Sequence, residues 1–456
     1  MKYKKNILED LSKLVSIPSI AVSGDSQKPY GERCFEALNW ILEKGHAMGF
    51  TTQNIENRAG HVEYGNTIDY NAVLSHVDIV PAGTRWSSSP FCLTEKNGKL
   101  FGRGVVDDKG AAIISLYCLK AMKDLGINVK TKIRAIFGAG EECGMDDMKS
   151  YFAQEPLPNM AFTPDSEYGI CNQEKGIMHL EISTENSENE KQIIKKFESG
   201  TAINAVPDQA LALLSIGENE AREIAKFAET LGIDFQLTQI SKNYQILVKG
   251  IAAHASTPEK GKNAAAMLIE LLVSYFGKNT LGALCSFINS FIGMETDGKS
   301  LSLQQEYSES EALSLNLGII KIDEQCSKAQ IDIRYPVTSN GNRIAEIIKE
   351  KSKTFGLKFN LLSDIPPLFV KENTPLIKLL KTAYREVTGA TAETYASGGG
   401  TYARTLQGRG VAFGPIFSGE ESNIHNADEN IDIEKFFLHA QICLEAIYQM
   451  SIVEIK

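Results

Sequence analysis

Three absences narrow the sequence before any motif is read. It has no apolar run of the length that crosses a bilayer, so no membrane partner is expected. It has no basic surplus: 47 Lys and Arg stand against 57 Asp and Glu, a net charge of −10. Broad nucleic-acid binding needs a basic face, so no nucleic-acid partner is expected, and the acidity reads as a solubility feature. It also has no Cys-x-x-Cys pair. Its eight cysteines are scattered and read as reduced thiols in a cytoplasmic protein, not as a disulfide framework or a metal cage. The opening MKYKKNILEDL is charged and then helical, without the apolar core of a signal peptide. There is no internal repeat and no low-complexity tract.

What is present is an ordinary globular composition, 43% hydrophobic and 23% charged over 456 residues, enough for two or more domains. Apolar spacing predicts helices over 3–15, 32–48, 109–124 and 146–153, and strands over 70–77, 130–137 and 159–163. Alternating strands and helices imply an α/β fold with a central, mostly parallel sheet flanked by helices. Near residue 175 the character changes. Strands are expected at 175–183, 243–249, 314–322 and 329–335, the last two as a hairpin around 323–327. A polar stretch spans 184–191, and helices are expected near 217–231, 262–276 and 340–355. Helix, strand and helix patterns then resume at 374–388, 410–414 and 432–449. The reading is a catalytic domain in two parts, 1–175 and 367–456, interrupted by an inserted α+β lid domain at 176–366.

The chemistry-bearing residues fall just after the strands, where sites gather in open α/β sheets. In NAVLSHVDIV (71–80), His76 and Asp78 fall on one side of a strand at period two, and the carboxylate can orient a metal-binding imidazole. In GRGVVDDKG (102–110), Asp107 and Asp108 occupy a glycine-flanked turn before a helix, and one of them is expected to cap it. In FGAGEECG (137–144), Glu141 and Glu142 sit side by side after an apolar strand, a costly pairing unless a cation or proton is shared. TPD (163–165) puts Asp165 at another strand end, and NIHNADE (423–429) adds His425. Imidazole with carboxylate and no thiolate suits Zn²⁺, Mn²⁺ or Co²⁺. The set is large enough for two divalent ions bridged by one carboxylate, with a spare glutamate as general base.

SHVD, GRGVVDDKG, FGAGEECG, TPD and HNADE, in this order, resemble the motifs of the M20 family of co-catalytic metallopeptidases. The long insert makes the chain similar to that family's dipeptidase V branch, which acts on Xaa-His dipeptides. The resemblance implies that Asp107 bridges two metal ions, that His76 and Asp165 complete one site, and that Glu142 and His425 complete the other. It implies Glu141 as general base, Asp78 as the group orienting His76, and a cis peptide between Asp107 and Asp108. In the insert, GIAAHASTP (250–258) resembles the lid segment whose histidine, here His254, stabilises the oxyanion. TAINAVPD (201–208) offers Asn204, and DIRYP (332–336) offers Arg334 for the substrate carboxylate. SGGGTYAR (397–404) resembles a substrate loop in which Gly399 and Gly400 present backbone N–H groups; it lacks the Lys-Ser/Thr ending of a phosphate loop. Within the family, an Asp at 165 goes with peptidases whose substrates keep a free α-amino group.

The expected function is therefore metal-dependent hydrolysis of a small peptide, with zinc or manganese (cobalt also fitting) and Glu141 as base. A monomer is expected in preference to a homodimer, because the insert takes the place of a partner's lid. The competing readings are an N-acyl amino-acid deacylase and a catalytically silent metal- or peptide-binding protein on the same fold.

Overall fold

A computed structural model describes residues 2–185, 193–278, 280–303 and 312–453. They form two compact units. One comprises Met1–Gln173, Leu368–Tyr395 and Gly400–Lys456; the other comprises Glu174–Pro367 and Ala396–Gly399. The short segment Ala396–Gly399, expected with the catalytic part, packs with the insert, so Gly399 and Gly400 fall in different units.

The first unit is built on a mixed sheet. Its centre is parallel: Lys132–Gly138, Tyr70–His76, Ala161–Thr163 and Gly410–Ala412 lie side by side in that order. Tyr70–His76 is buried at every position, as a strand covered on both faces must be. The sequence pattern missed the hairpin Thr51–Ile55/Ala59–Tyr64, which adds antiparallel strands at one edge. Its turn carries Glu56 and Asn57 at positive φ, a tight geometry that non-glycine side chains rarely signal. The helix Lys109–Asp124 is apolar on nearly all sides and lies inside the unit, against Lys4–Val15, Ile433–Ile452 and the central sheet.

The second unit has its own core and an eight-stranded antiparallel sheet. Gly176–Glu185 pairs with Cys326–Tyr335, which is three residues longer than the pattern suggested. The hairpin between Ser314–Ile322 and Cys326–Tyr335 turns where expected: the Asp323 carboxylate accepts the N–H groups of Gln325 and Cys326 at 2.9 Å each. Four strands of this sheet and a helix were not foreseen: Ile194–Ser199, Gln209–Leu214, Phe235–Ile240, Lys358–Ile365 and Ala283–Phe291. Phe235–Ile240 and Lys358–Ile365 are the two edge strands, mostly exposed, with Phe235 and Leu237 of one and Phe359 of the other packed against the core, a short apolar pattern that is easily overlooked. Most of the polar stretch 184–191 lies outside the described residues.

Candidate metal centre

The parallel strands deliver the site. Tyr70–His76 ends on His76, and the register sets His76 opposite Gly138. The chain leaving Gly138 reaches Glu141 and Glu142 beside the chain leaving His76, and Ala161–Thr163 leads to Asp165 at the same edge. The strand stops at His76, one residue short of the sequence expectation, so Asp78 lies beyond it. Asp78 is fully buried, and its carboxylate accepts the Glu141 N–H at 3.2 Å and the Glu142 N–H at 3.0 Å. It faces His76 Nδ1 at 3.5 Å, while the hydrogen bond from that nitrogen, 3.0 Å, goes to the Asp78 main-chain carbonyl. The Asp78 carboxylate therefore touches the glutamate turn as well as the imidazole.

With Nδ1–H donated to a carbonyl, Nε2 of a neutral His76 presents a lone pair. Nε2 is buried, lies 2.9 Å from Asp107 Oδ1 and 3.8 Å from Asp165 Oδ2, and has no hydrogen bond. The other oxygen of Asp107, Oδ2, lies 2.9 Å from His425 Nε2, which is also 3.2 Å from Glu142 Oε1. Ligand atoms of His76, Asp107 and Glu142 lie within 4.8 Å of one another, as do those of His76, Glu141 and Asp165. A buried His76 Nε2 without a hydrogen bond, set among carboxylate oxygens and a second imidazole, is what a divalent cation resolves, so these residues fit the metal that the sequence implies. The second group holds Glu141 with His76 and Asp165.

The electrostatics agree. Burial and the neighbouring carboxylates raise Asp165 to about 7, and they push Glu141 and Glu142 above the usual carboxylate range. Burial opposes charge on the two histidines, yet Asp107 and its neighbours hold His76 well above its ordinary value and His425 at about 11. Burial also opposes charge on Asp107, which the two imidazoles nevertheless keep ionised. So many buried acids at one place need cations or shared protons to coexist.

The Asp107–Asp108 peptide is cis. The helix-cap expectation is corrected: Asp108 occupies the N-cap of Lys109–Asp124 but makes no side-chain cap bond. Its carboxylate instead accepts the His76 N–H at 3.1 Å, because the turn aims it at the neighbouring strand end. His425 lies in a loop where Asn423, His425 and Asp428 all have positive φ.

Within the inserted unit, His254 is exposed, and its Nδ1 lies 2.7 Å from Ser256 Oγ. Asn204 adjoins it: Ala205 pairs with His254, and the Asn204 carbonyl accepts the Ala255 N–H at 3.0 Å. Arg334 is buried, with Nε and Nη2 on the two oxygens of Asp332 at 2.7 and 2.9 Å and Nη1 on the Gly398 carbonyl at 3.2 Å. Asp332 also meets His179 Nε2 at 2.9 Å. Gly399 N–H is turned to Ser397 Oγ at 3.0 Å, and Gly400 packs against the Arg404 side chain.

Sequence reasoning gave no role to Asp147, Arg103 or Glu429. Asp147 is buried beneath the glutamate turn, accepting the Gly140 N–H at 2.9 Å and the Tyr402 hydroxyl. Arg103 and Glu429 sit inside two quoted motifs, which was the available signal.

A parallel sheet whose carboxyl edge gathers imidazoles and carboxylates defines a metallohydrolase. The chain belongs to peptidase family M20/M25/M40, whose model matches residues 72–449. It is 33% identical over 460 residues to the Bacillus subtilis protein named "Putative dipeptidase YtjP", covering 99% of this chain and 98% of that one. Among solved structures its fold resembles human carnosine dipeptidase 1 (TM-score 0.61, 15% identity, 99% of this chain and 97% of that one). It also resembles aminoacylhistidine dipeptidase from Vibrio alginolyticus (TM-score 0.57, 14% identity, 97% and 96%).

Proposed function

We propose that this metallohydrolase is a dipeptidase with a two-ion centre that cleaves short peptides bearing a free amino terminus. The observation carrying the two-ion reading is Asp107, whose oxygens each lie 2.9 Å from a different imidazole, His76 and His425. In this reading His76, Asp165 and Asp107 would hold one ion, and Glu142, His425 and Asp107 the other. Zinc or manganese, with cobalt as a third choice, would polarise the scissile carbonyl and make a water more acidic. Glu141 takes the water's proton and returns it to the leaving amine. Asp78 keeps Glu141 and His76 in place.

In the inserted unit, His254 would donate to the oxyanion, with Asn204 beside it as a substrate contact. Arg334, its Nε–Nη2 edge committed to Asp332, would offer its remaining N–H groups to the substrate carboxylate, with Gly400 supplying its backbone N–H and Gly399 doing so on release from Ser397 Oγ. Asp165, rather than a longer acid, leaves room for an ammonium group. A cytoplasmic setting is part of the reading, supported by eight cysteines of which none is in a disulfide. So is a monomer, which sedimentation would check.

The test is an activity matrix of stripped protein against Zn²⁺, Mn²⁺ and Co²⁺, with dipeptides and N-acyl amino acids as substrates. Turnover of dipeptides alone supports the reading, turnover of N-acyl amino acids alone makes the chain a deacylase, and no turnover with ions bound makes it a binding protein. Glu141→Ala should retain its ions and lose roughly 10²- to 10⁴-fold in kcat, measured at saturating peptide.

A further inference from the structure

Glu429 is completely buried and is one of the most heavily engaged carboxylates near the centre. It accepts the N–H of Gly104 at 3.0 Å, of Val106 at 2.9 Å and of Asp107 at 3.2 Å, and it pairs with Arg103 Nη1 at 2.7 Å. These donors are the backbone of the turn that carries Asp107. Glu429 itself follows His425 by four residues, in the loop that carries it.

Arg103 ties the same two segments from the other side. Its Nη2 donates to the Asn426 carbonyl at 3.0 Å, and its guanidinium lies over the Trp86 ring, 5.2 Å from the centroid. Asp428, in the same loop, accepts Ser87 N–H and Oγ–H at 2.8 and 3.0 Å. Two segments some 320 residues apart in the chain are thus held at one spacing, where Asp107 Oδ2 and His425 Nε2 stand 2.9 Å apart.

Stability alone is a poor reason for this pair. Removing two charges from water costs several kcal/mol each, and apolar replacements of buried pairs are often neutral or stabilising. What an ion pair with three main-chain bonds supplies is a fixed geometry. We propose that Glu429, with Arg103, is a positioning residue for the metal centre, setting the Asp107 turn against the His425 loop. This rests on the two-ion reading above.

The test titrates Zn²⁺ or Mn²⁺ alone into stripped wild-type, Glu429→Gln, Arg103→Lys and Arg103→Met/Glu429→Gln proteins, with circular dichroism checking the fold. Glutamine keeps one acceptor for the turn, lysine keeps the charge without the planar fork, and the double variant removes the charged pair. Folded variants should bind the ions roughly 10- to 100-fold more weakly, with kcat recovering in excess metal and KM for the peptide unchanged. A folded variant that titrates like wild type overturns the proposal, as does loss of the fold in all three, which would make the pair a structural requirement only. Wild-type protein that binds no divalent ion would instead sink the two-ion reading itself.

Discussion

At the scale of single residues, Asp78 carries two tasks that one carboxylate can serve because it is buried where two chain segments leave the sheet together. It faces His76 and accepts two consecutive N–H groups from the turn holding Glu141 and Glu142. Asp78→Asn keeps one acceptor and substitutes a donor for the other. It should fold, weaken ion binding roughly 10- to 100-fold by titration calorimetry, and slow turnover even at saturating metal because Glu141 is also released. His76→Ala should nearly abolish activity. Gly138 shows the same crowding: a Cβ there would lie 1.9 Å from the Tyr402 hydroxyl and 2.4 Å from Asp147 Oδ2. Gly138→Ala should cost about 1–3 kcal/mol in urea unfolding and reduce activity by displacing the turn that Asp147 supports. The identities of the donors were legible in the motifs. The second task of Asp78 was not, because a main-chain N–H leaves no mark on a sequence.

At the scale of elements, buried apolar helices and strands buried on both faces could be read directly. Lys109–Asp124 and Ser314–Ile322 match their expected spans. The edge strands and the positive-φ hairpin were missed because their stability comes chiefly from pairing with a neighbour and little from a pattern of their own. The helix Ile433–Ile452 hides a pH-sensitive group. His439 is buried, with Nδ1 2.8 Å from the Tyr168 hydroxyl, and burial lowers it to about 3 from a usual 6.5. Between those values the unfolded chain binds this proton and the folded protein does not. The stability is therefore complete above pH 6.5 and is lost as pH falls toward 3. By pH 5 the loss from this one residue is about 2 kcal/mol. His61, buried and likewise lowered to about 3, acts in the same direction. Urea midpoints at pH 7 and pH 5 should differ less for His439→Gln than for wild type.

At the scale of the whole molecule, a bound metal would be part of the folded state's free energy. Ions held as proposed by His76, Asp107, Glu142, Asp165 and His425 would bind the folded chain and not the unfolded one. Chelation should abolish peptide hydrolysis and lower the melting temperature. Added Zn²⁺ or Mn²⁺ should restore both, with about 2.7 kcal/mol of stabilisation at a hundredfold excess over Kd. An unchanged melting temperature across the metal titration would contradict the assignment.

The sequence by itself determined the kind of chemistry. Imidazoles and carboxylates without thiolates, gathered at strand ends and one late loop, specify a hard-to-borderline cation whatever the details of packing. Only the tertiary structure decided how these groups meet. The parallel register of His76 with Gly138 brings Asp78 under the glutamate turn, and the Arg103–Glu429 pair brings His425 to Asp107. Register and long-range closure are properties of the packed sheet and of segments hundreds of residues apart, so no local pattern in the chain encodes them.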